Sequence, residues 1–338
     1  MRVGVVGATG QVGGVMRRML AERAFPVDEI RYFASSRSAG STLPWDGRDI
    51  VVEDAASADP AGLDIALFSA GASMSRVQAP RFAAAAVTVI DNSSAWRMDP
   101  DVPLVVAEVN ASAARAARKG IIANPNCTTT VMLMALYPLH KIFRVLRVFA
   151  STYQAVSGSG SRGVEELTRQ TSAFDNATAD ATPPAALSDS AKIFPHPIAF
   201  NLLPHVDSFL ENGYTKEEVK MQDETRKIMH LPELRVSATC VRVPVYRAHS
   251  VAVTAEFERP VSIEQAREVL SKAPGLDFVD EPRSNQYPMP LNVAGKDNCQ
   301  VGRVRLDCAL ENGLSFWVSG DQLLKGAALN AVQIAELL

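Results

Sequence analysis

Gly7-Ala-Thr-Gly10-Gln-Val-Gly13 follows an apolar run at residues 3–6 and opens a helical pattern over 13–23. A strand that ends in closely spaced glycines and passes straight into a helix is the sequence mark of a dinucleotide turn. Glycines there let the backbone approach a pyrophosphate, which rests on the unpaired N–H groups of the helix N-terminus. The spacing is GxxGxxG rather than GxGxxG, and a tight ligand-free turn is the plainer alternative. The place of the turn in a strand–helix–strand pattern favours the dinucleotide. Candidate contacts are Gly7, Thr9, Gly10, Gln11, Val12 and Gly13.

Further apolar runs at 31–34, 64–69, 88–90, 104–106 and 120–123 predict strands. Helical patterns lie between them at 81–86 and 111–119, the last closed by Gly120 in a position suited to a left-handed cap. Continuous apolar strands alternating with helices predict a doubly wound parallel sheet. After about residue 128 the runs lengthen and alternate with period two, at 145–156, 236–243, 251–257, 304–310 and 314–318. The last two flank Glu311-Asn312-Gly313, a hairpin signal. The expectation is an α/β protein with two domains. Residues 1–127 form a Rossmann-type domain, and 128–320 an α+β domain with a mostly antiparallel sheet. The tail 321–338 reads as an amphipathic helix, capped by Asp321, that packs back onto the first domain. The Ala-, Asp-, Thr- and Pro-rich stretch 172–190 reads as a surface excursion.

Composition narrows the function. The 338 residues carry a net charge of -3, so no basic face advertises a nucleic-acid partner. Cys127, Cys240, Cys299 and Cys308 form no CxxC pair, which argues against a zinc site or a disulfide framework. No apolar run is long enough to span a membrane, and the early glycine turn leaves no room for a signal peptide. A cytoplasmic, metal-free protein is expected.

The second strand runs into Ser36, Arg37 and Ser38, without the acid that usually holds an NAD ribose. An Arg fork between two hydroxyls suits a 2′-phosphate, so NADP(H) is the expected cofactor. Cys127 lies in Asn124-Pro-Asn126-Cys127, just before the apolar helical run 131–136. A cysteine at a helix start feels the positive end of the dipole, which favours the thiolate. Asn126 beside it is a candidate oxyanion donor. Buried hydrophobe is the plainer role of a lone cysteine, and it fits Cys240 and Cys308 within alternating strands. A thiolate needs a base. Among the five histidines, spacing favours His249, seven residues after Arg242, only slightly over His196, while His140 reads as a helix C-terminal cap. Arg97 follows a strand of the first domain, on the side where ligands bind. Thr215 and Glu218 form a capping box, and Glu217 and Lys220 share a face of the helix that follows, ordinarily a solvated one.

Taken together, GATGQVG, ASSRSAG, DNSSAWRMDPDVPLVVAEVN, NPNCTT, YQAVSGSG, IAFNLLPHVD, EEVKMQDETRKIM, VSATCVRVPVYRAHS and the terminal DQLLKGAALNAVQIAELL resemble the aspartate-β-semialdehyde dehydrogenase family from end to end. The resemblance implies a homodimer or homotetramer assembled through the second domain. It implies Cys127 as acyl-thioester nucleophile, His249 as acid/base, and Gln154 orienting substrate beside the cysteine. Arg242 would bind the substrate carboxylate, Glu217 the amino group, and Arg97 and Lys220 the phosphate. Ser69 and Gly71 would join the cofactor contacts, with Ser157 and Gly158 lining the nicotinamide pocket and Gln322 near its carboxamide. Gln322 stands where Asn is frequent, a difference of one methylene. His205 stands where Gln is common. The implied chemistry is NADPH-dependent reduction of aspartyl phosphate to the semialdehyde. One rival is N-acetyl-γ-glutamyl-phosphate reductase, whose cysteine motif resembles NPGCY, whereas this chain has Asn126. The other is a catalytically silent binding subunit, which would be expected to lose the Cys, His or Arg that this chain keeps.

Overall fold

Strands that are covered on both faces must be apolar along their whole length. That condition holds in the computed structural model, which describes residues 1–174 and 191–338, so most of the stretch 172–190 lies outside the described residues. β1 (Arg2–Val6) is buried from Val3 to Val6, and β5 (Ile65–Phe68) is buried throughout. With β2 (Glu29–Ala34), β3 (Thr42–Trp45), β4 (Arg48–Asp54), β6 (Thr88–Asp91) and β7 (Ile121–Ala123) they form a seven-stranded sheet, ordered β3-β4-β2-β1-β5-β6-β7. All neighbours are parallel except β3 and β4. The order reverses beside β1, and in open parallel sheets ligands bind at such a point, past the carboxyl ends of the strands.

The sheet belongs to a compact unit of Met1–Thr130, Asp223–Pro232 and Leu323–Leu338. α1 (Gln11–Glu22), α2 (Ala72–Ala84) and the short α3 (Ala107–Asn110) lie in this unit. The tail does enter its core, where Leu324, Ala328, Leu329, Val332 and Ile334 are buried together with Met16, Leu20 and Tyr32. It is less regular than a single amphipathic helix. A π turn, Leu324–Ala328, precedes α9 (Leu329–Glu336), which is buried on nearly every side. Asp321 does not start it: its carboxylate takes the Nε–H of Arg247 and the N–H of Gly295, both at 2.6 Å.

Residues 104–106 form no strand, because only Leu104 bridges to Ala123 before the chain turns into α3. Residues 111–116 form a 3-10 turn rather than an α-helix, although Gly120 does take a left-handed φ of 66°. The hairpin β3–β4 escaped the sequence reading, which passed over Asp46-Gly47, a dipeptide with the positive φ values a two-residue turn demands.

The second unit comprises Val131–Gln222 and Glu233–Gln322. Its strands are β8 (Val145–Gln154), β9 (Arg235–Arg242), β10 (His249–Phe257), β11 (Leu276–Phe278), β12 (Cys299–Leu306) and β13 (Gly313–Gly320). The order is β11-β12-β13-β10-β8-β9. The three inner junctions are antiparallel and the two outer ones parallel, so the sheet is mixed. β12 starts five residues earlier than the alternation suggested. Cys308 therefore falls in the exposed loop after it, while Cys240 is buried in β9 as read. Around the sheet lie α5 (Ser161–Phe174), α7 (Ile263–Ser271) and α8 (Pro290–Val293). α4 (Cys127–Phe143) and α6 (Lys216–Met229) each begin in one unit and end in the other. The capping box of α6 is in place: Thr215 N–H donates to Glu218 Oε2 at 2.7 Å, and Glu218 N–H to Thr215 Oγ1 at 3.3 Å. His140 closes α4 through Nδ1, which accepts the N–H of Val145 at 3.2 Å.

Candidate active site

The glycine turn is built for close approach. Gly7 has φ +85°, and a Cβ on Gly13 would stand 2.1 Å from the Gly7 carbonyl oxygen, so no side chain fits there. Gly10 caps α1 with no side-chain acceptor. The first N–H groups of the helix therefore keep their capacity for an anion. Thr9, Gly10 and Gln11 are exposed, with Val12 half-buried behind them. Ser36, Arg37 and Ser38 follow β2 in a turn, with Ser36 and Arg37 exposed. Ser69 hangs from β1 through its N–H to Val6, and Gly71, at φ +81°, caps α2, again without a side chain. These groups fit a pyrophosphate and a further phosphate beyond β2.

Cys127 is partly exposed as the first residue of α4. Asn126 is first of all its cap, a role the sequence reading did not assign. Its Oδ1 accepts the N–H of Thr128 at 2.9 Å and of Thr129 at 3.2 Å. The turn is held from below by Glu224, which the sequence reading missed. Its Oε2 takes the Asn126 N–H at 2.6 Å, and its Oε1 the Nη1–H of Arg97 at 3.0 Å. Arg97 also donates to the carbonyls of Asn124 at 2.9 Å and Asn92 at 2.8 Å. The expected phosphate ligand thus ties the loop before Cys127 to the segment after β6 and to α6, with two of its five N–H groups beyond these bonds. Lys227 fixes the segment that carries Arg97 by donating to the carbonyls of Arg97, Asp99 and Val102. On another side, a Cβ on Gly326 would come within 2.8 Å of Cys127 Cβ, so the π turn can meet the cysteine only as glycine. Asn124 and Asn330 bond to each other and hold the π turn through the Ala327 carbonyl. Lys325, fully buried, pairs with Glu108 and donates to Asn330 and Gln333.

In the second unit the predicted residues gather where β8, β9 and β10 meet the 3-10 turn Val156–Ser159. Gln154 ends β8 and is buried. Its Nε2 donates to Glu217 Oε1 at 3.1 Å, and its Oε1 accepts from Thr152 at 3.0 Å. Glu217 also pairs with Lys220 at 3.2 Å, which in turn reaches Asp207 at 2.6 Å. Burial disfavours the Lys220 ammonium, but the charges of Glu217 and Asp207 prevail and raise its pKa. Arg242 ends β9 and donates to the Ala155 carbonyl at 2.7 Å. A Cβ on Gly158 would lie 2.8 Å from Arg242 Nη1 and 3.2 Å from His249 Nε2, so this glycine admits both side chains. His249, at the start of β10, is 0% exposed. Burial first, and then the Arg242 charge, push its pKa down to about 3. Gln322 donates to Ser157 Oγ and accepts the Ala248 N–H at 2.7 Å, so its first duty is to clamp this turn. The remaining histidines lie elsewhere: His196 and His230 are exposed, and His205 stacks on Phe209.

Comparison with known proteins decides the family. Residues 2–117 match the semialdehyde dehydrogenase NAD binding domain, and residues 136–325 the semialdehyde dehydrogenase dimerisation domain. The aspartate-semialdehyde dehydrogenase of Aquifex aeolicus is 52% identical, with 100% of this chain and 97% of that protein covered. The chain belongs to the aspartate-semialdehyde dehydrogenase family. Aspartate-semialdehyde dehydrogenases are oxidoreductases. The crystal structure of aspartate semialdehyde dehydrogenase II from Vibrio cholerae, complexed with ASA, matches with a TM-score of 0.93 at 43% identity. All of this chain and 97% of that one are covered. The Candida albicans aspartate semialdehyde dehydrogenase, determined with NADP, matches with a TM-score of 0.73 at 25% identity, covering 100% and 98%.

Proposed function

We propose that this chain reduces aspartyl phosphate to aspartate semialdehyde with NADPH, through a thioester on Cys127. The observation that carries the reading is the seat of Cys127. It is the first residue of a helix capped by Asn126, with Arg97, from the segment after β6, bonded to the Asn124 carbonyl just before it. The names of the relatives support the substrate. The Cys127 thiolate attacks the acyl carbon, and phosphate leaves against the charges of Arg97 and Lys220. NADPH supplies the hydride that reduces the thioester. Arg242 takes the substrate carboxylate, Glu217 the amino group, Gln154 orients the acyl group, and His249 serves its oxygen. Splitting the displacement into two steps through a covalent intermediate is what a nucleophilic cysteine offers. Purified protein given aspartate semialdehyde, phosphate and NADP should produce NADPH. Activity with the N-acetylglutamate semialdehyde alone would overturn the assignment.

The groups facing NADP(H) are the turn at Gly7, Gly10 and Gly13 for the pyrophosphate, and Ser36, Arg37 and Ser38 for the 2′-phosphate, with Ser157, Gly158 and Gln322 toward the nicotinamide. Arg37→Ala is expected to raise KM for NADPH about 10- to 100-fold, the worth of a charge-assisted contact, and to leave KM for NADH unchanged. An equal rise for both cofactors would remove Arg37 from the 2′-phosphate.

A homodimer through the six-stranded sheet fits the exposed Leu146 and Phe149 on one face of β8. Analytical ultracentrifugation should show at least a dimer, and a concentration-independent monomer would exclude it. The chemistry suits the cytoplasm, and among the described residues no helix is long and apolar enough to cross a membrane.

A further inference from the structure

Lys325 lies in the π turn with 1% of its side chain exposed, and none of the steps proposed for the reaction uses it. A charge so buried needs a counter-charge and hydrogen bonds. Its ammonium meets the carboxylate of Glu108, Oδ1 of Asn330 at 2.9 Å and Oε1 of Gln333 at 2.7 Å, three oxygens for three N–H groups. Gln333 Nε2 returns to the other Glu108 oxygen at 2.9 Å. Stability alone does not call for such a pair, because apolar residues of similar volume often replace a buried ion pair at no cost. What the pair adds is direction, since a fully satisfied polar network holds in one geometry only.

The geometry so fixed reaches Cys127 by two routes. Gly326 follows Lys325 directly, and a Cβ on it would stand 2.8 Å from Cys127 Cβ and 3.2 Å from its Cα. Asn330, which receives Lys325, donates to Asn124 Oδ1, and Asn124, three residues before Cys127, donates to the Ala327 carbonyl at 3.1 Å. Asn330 also takes the Ala107 N–H at 3.1 Å, which ties the helix that carries Glu108 into the same cluster. All these residues belong to one compact unit. The turn itself is wide: Ala328 N–H bonds to the Leu323 carbonyl at 3.0 Å, a spacing of five residues. π turns are rare, and they gather at functional sites. Were this one to relax to α spacing, the residues before it would rotate by about 100°, one step of a 3.6-residue helix. Gly326 would turn away from Cys127, and a neighbour with a side chain would take its place. We propose that the Lys325–Glu108 pair locks the π turn and so seats Cys127, making Lys325 a positioning residue for the nucleophile. The inference rests on the reading that Cys127 is the nucleophile.

The test reads the thiol directly, on the full chain. Iodoacetamide alkylation of Cys127, followed on its own peptide by mass spectrometry between about pH 5 and 9, reports the thiolate. In the double variant Lys325→Met/Glu108→Gln both charges go together, so no buried charge is left unpaired, and the new amide still accepts Gln333 Nε2. The midpoint of the profile should rise by about 0.5 to 1 on the pH scale, because a displaced Cys127 loses part of the helix N-terminus that favours the thiolate. kcat should fall about 10- to 100-fold, the cost of an ångström-scale misplacement, with KM for NADPH unchanged. Glu108→Asp keeps the charge and draws it back by one methylene. It should shift the profile and lower kcat in the same directions, by less. An unchanged profile in the double variant, or in Glu108→Asp where the double variant does not fold, would overturn the proposal whatever the turnover. A shifted profile with undiminished turnover would uphold the positioning and overturn the reading of Cys127 as nucleophile.

Discussion

Replacing Cys127 with Ala should lower turnover by about 10⁴-fold or more, the scale seen when a covalent nucleophile is removed. NADP(H) affinity should not change, because the glycine turn and the Ser36–Arg37–Ser38 segment do not depend on the thiol. The position itself tolerates alanine. Asn126 caps the helix with its own side chain, and the Thr128 and Thr129 N–H groups it holds are unaffected by the residue at 127. A normal thermal midpoint and normal cofactor titration should therefore accompany the loss of rate. Residual turnover within about a hundredfold of the parent would mean that the reaction does not pass through this sulfur.

The second large effect is structural and concerns Glu224. Its carboxylate has 1% of its side-chain surface exposed and meets two donors, the guanidinium of Arg97 and the N–H of Asn126. Truncation to Ala leaves a nearly buried cation and a buried amide without their acceptor. Breaking a buried pair from one side costs about 3–5 kcal/mol. Glu224→Ala should lose that much in urea denaturation, and the turn carrying Cys127 should react differently with iodoacetamide in the native state. Glu224→Gln should fall between the parent and Ala, since its amide retains one acceptor for two donors. A loss below about 1 kcal/mol, the worth of an exposed ion pair, would show that water replaces the carboxylate.

Glu224 also shows where sequence reading reaches its limit. The stretch Thr215 to Met229 reads as a charged helix, and charge on a helix is ordinarily solvated. The capping box of α6 was legible because it is local: Thr215 and Glu218 lie one turn apart. The partner of Glu224 lies 127 positions away in sequence, and no local pattern announces such a pair. The one available hint is geometric, since Glu217, Lys220 and Glu224 fall at i, i+3 and i+7, one stripe of a helix. The same distinction runs through the fold. The parallel sheet was legible because burial on both faces demands unbroken apolar runs. The strand expected at 104–106 failed because three apolar residues suit a buried loop equally well. Asn126 was singled out for chemistry and found capping, because a side chain beside a reactive residue is easily credited with its reaction. His249 stood out from His196 only when the fold buried one and left the other in solvent.

The tail carries a consequence for how the chain is made. Leu324 to Ala335 fill the core of the unit that begins with β1, and the π turn packs Gly326 against Cys127. The first sheet is thus synthesised long before the helix that covers its interior. Domains generally fold as units while the chain emerges. This one must wait for Leu323–Leu338, after the whole of Glu233–Gln322 has been made. Until those residues are made, Cys127 stands on an unfinished support, because the glycine that packs against it, Gly326, lies among them.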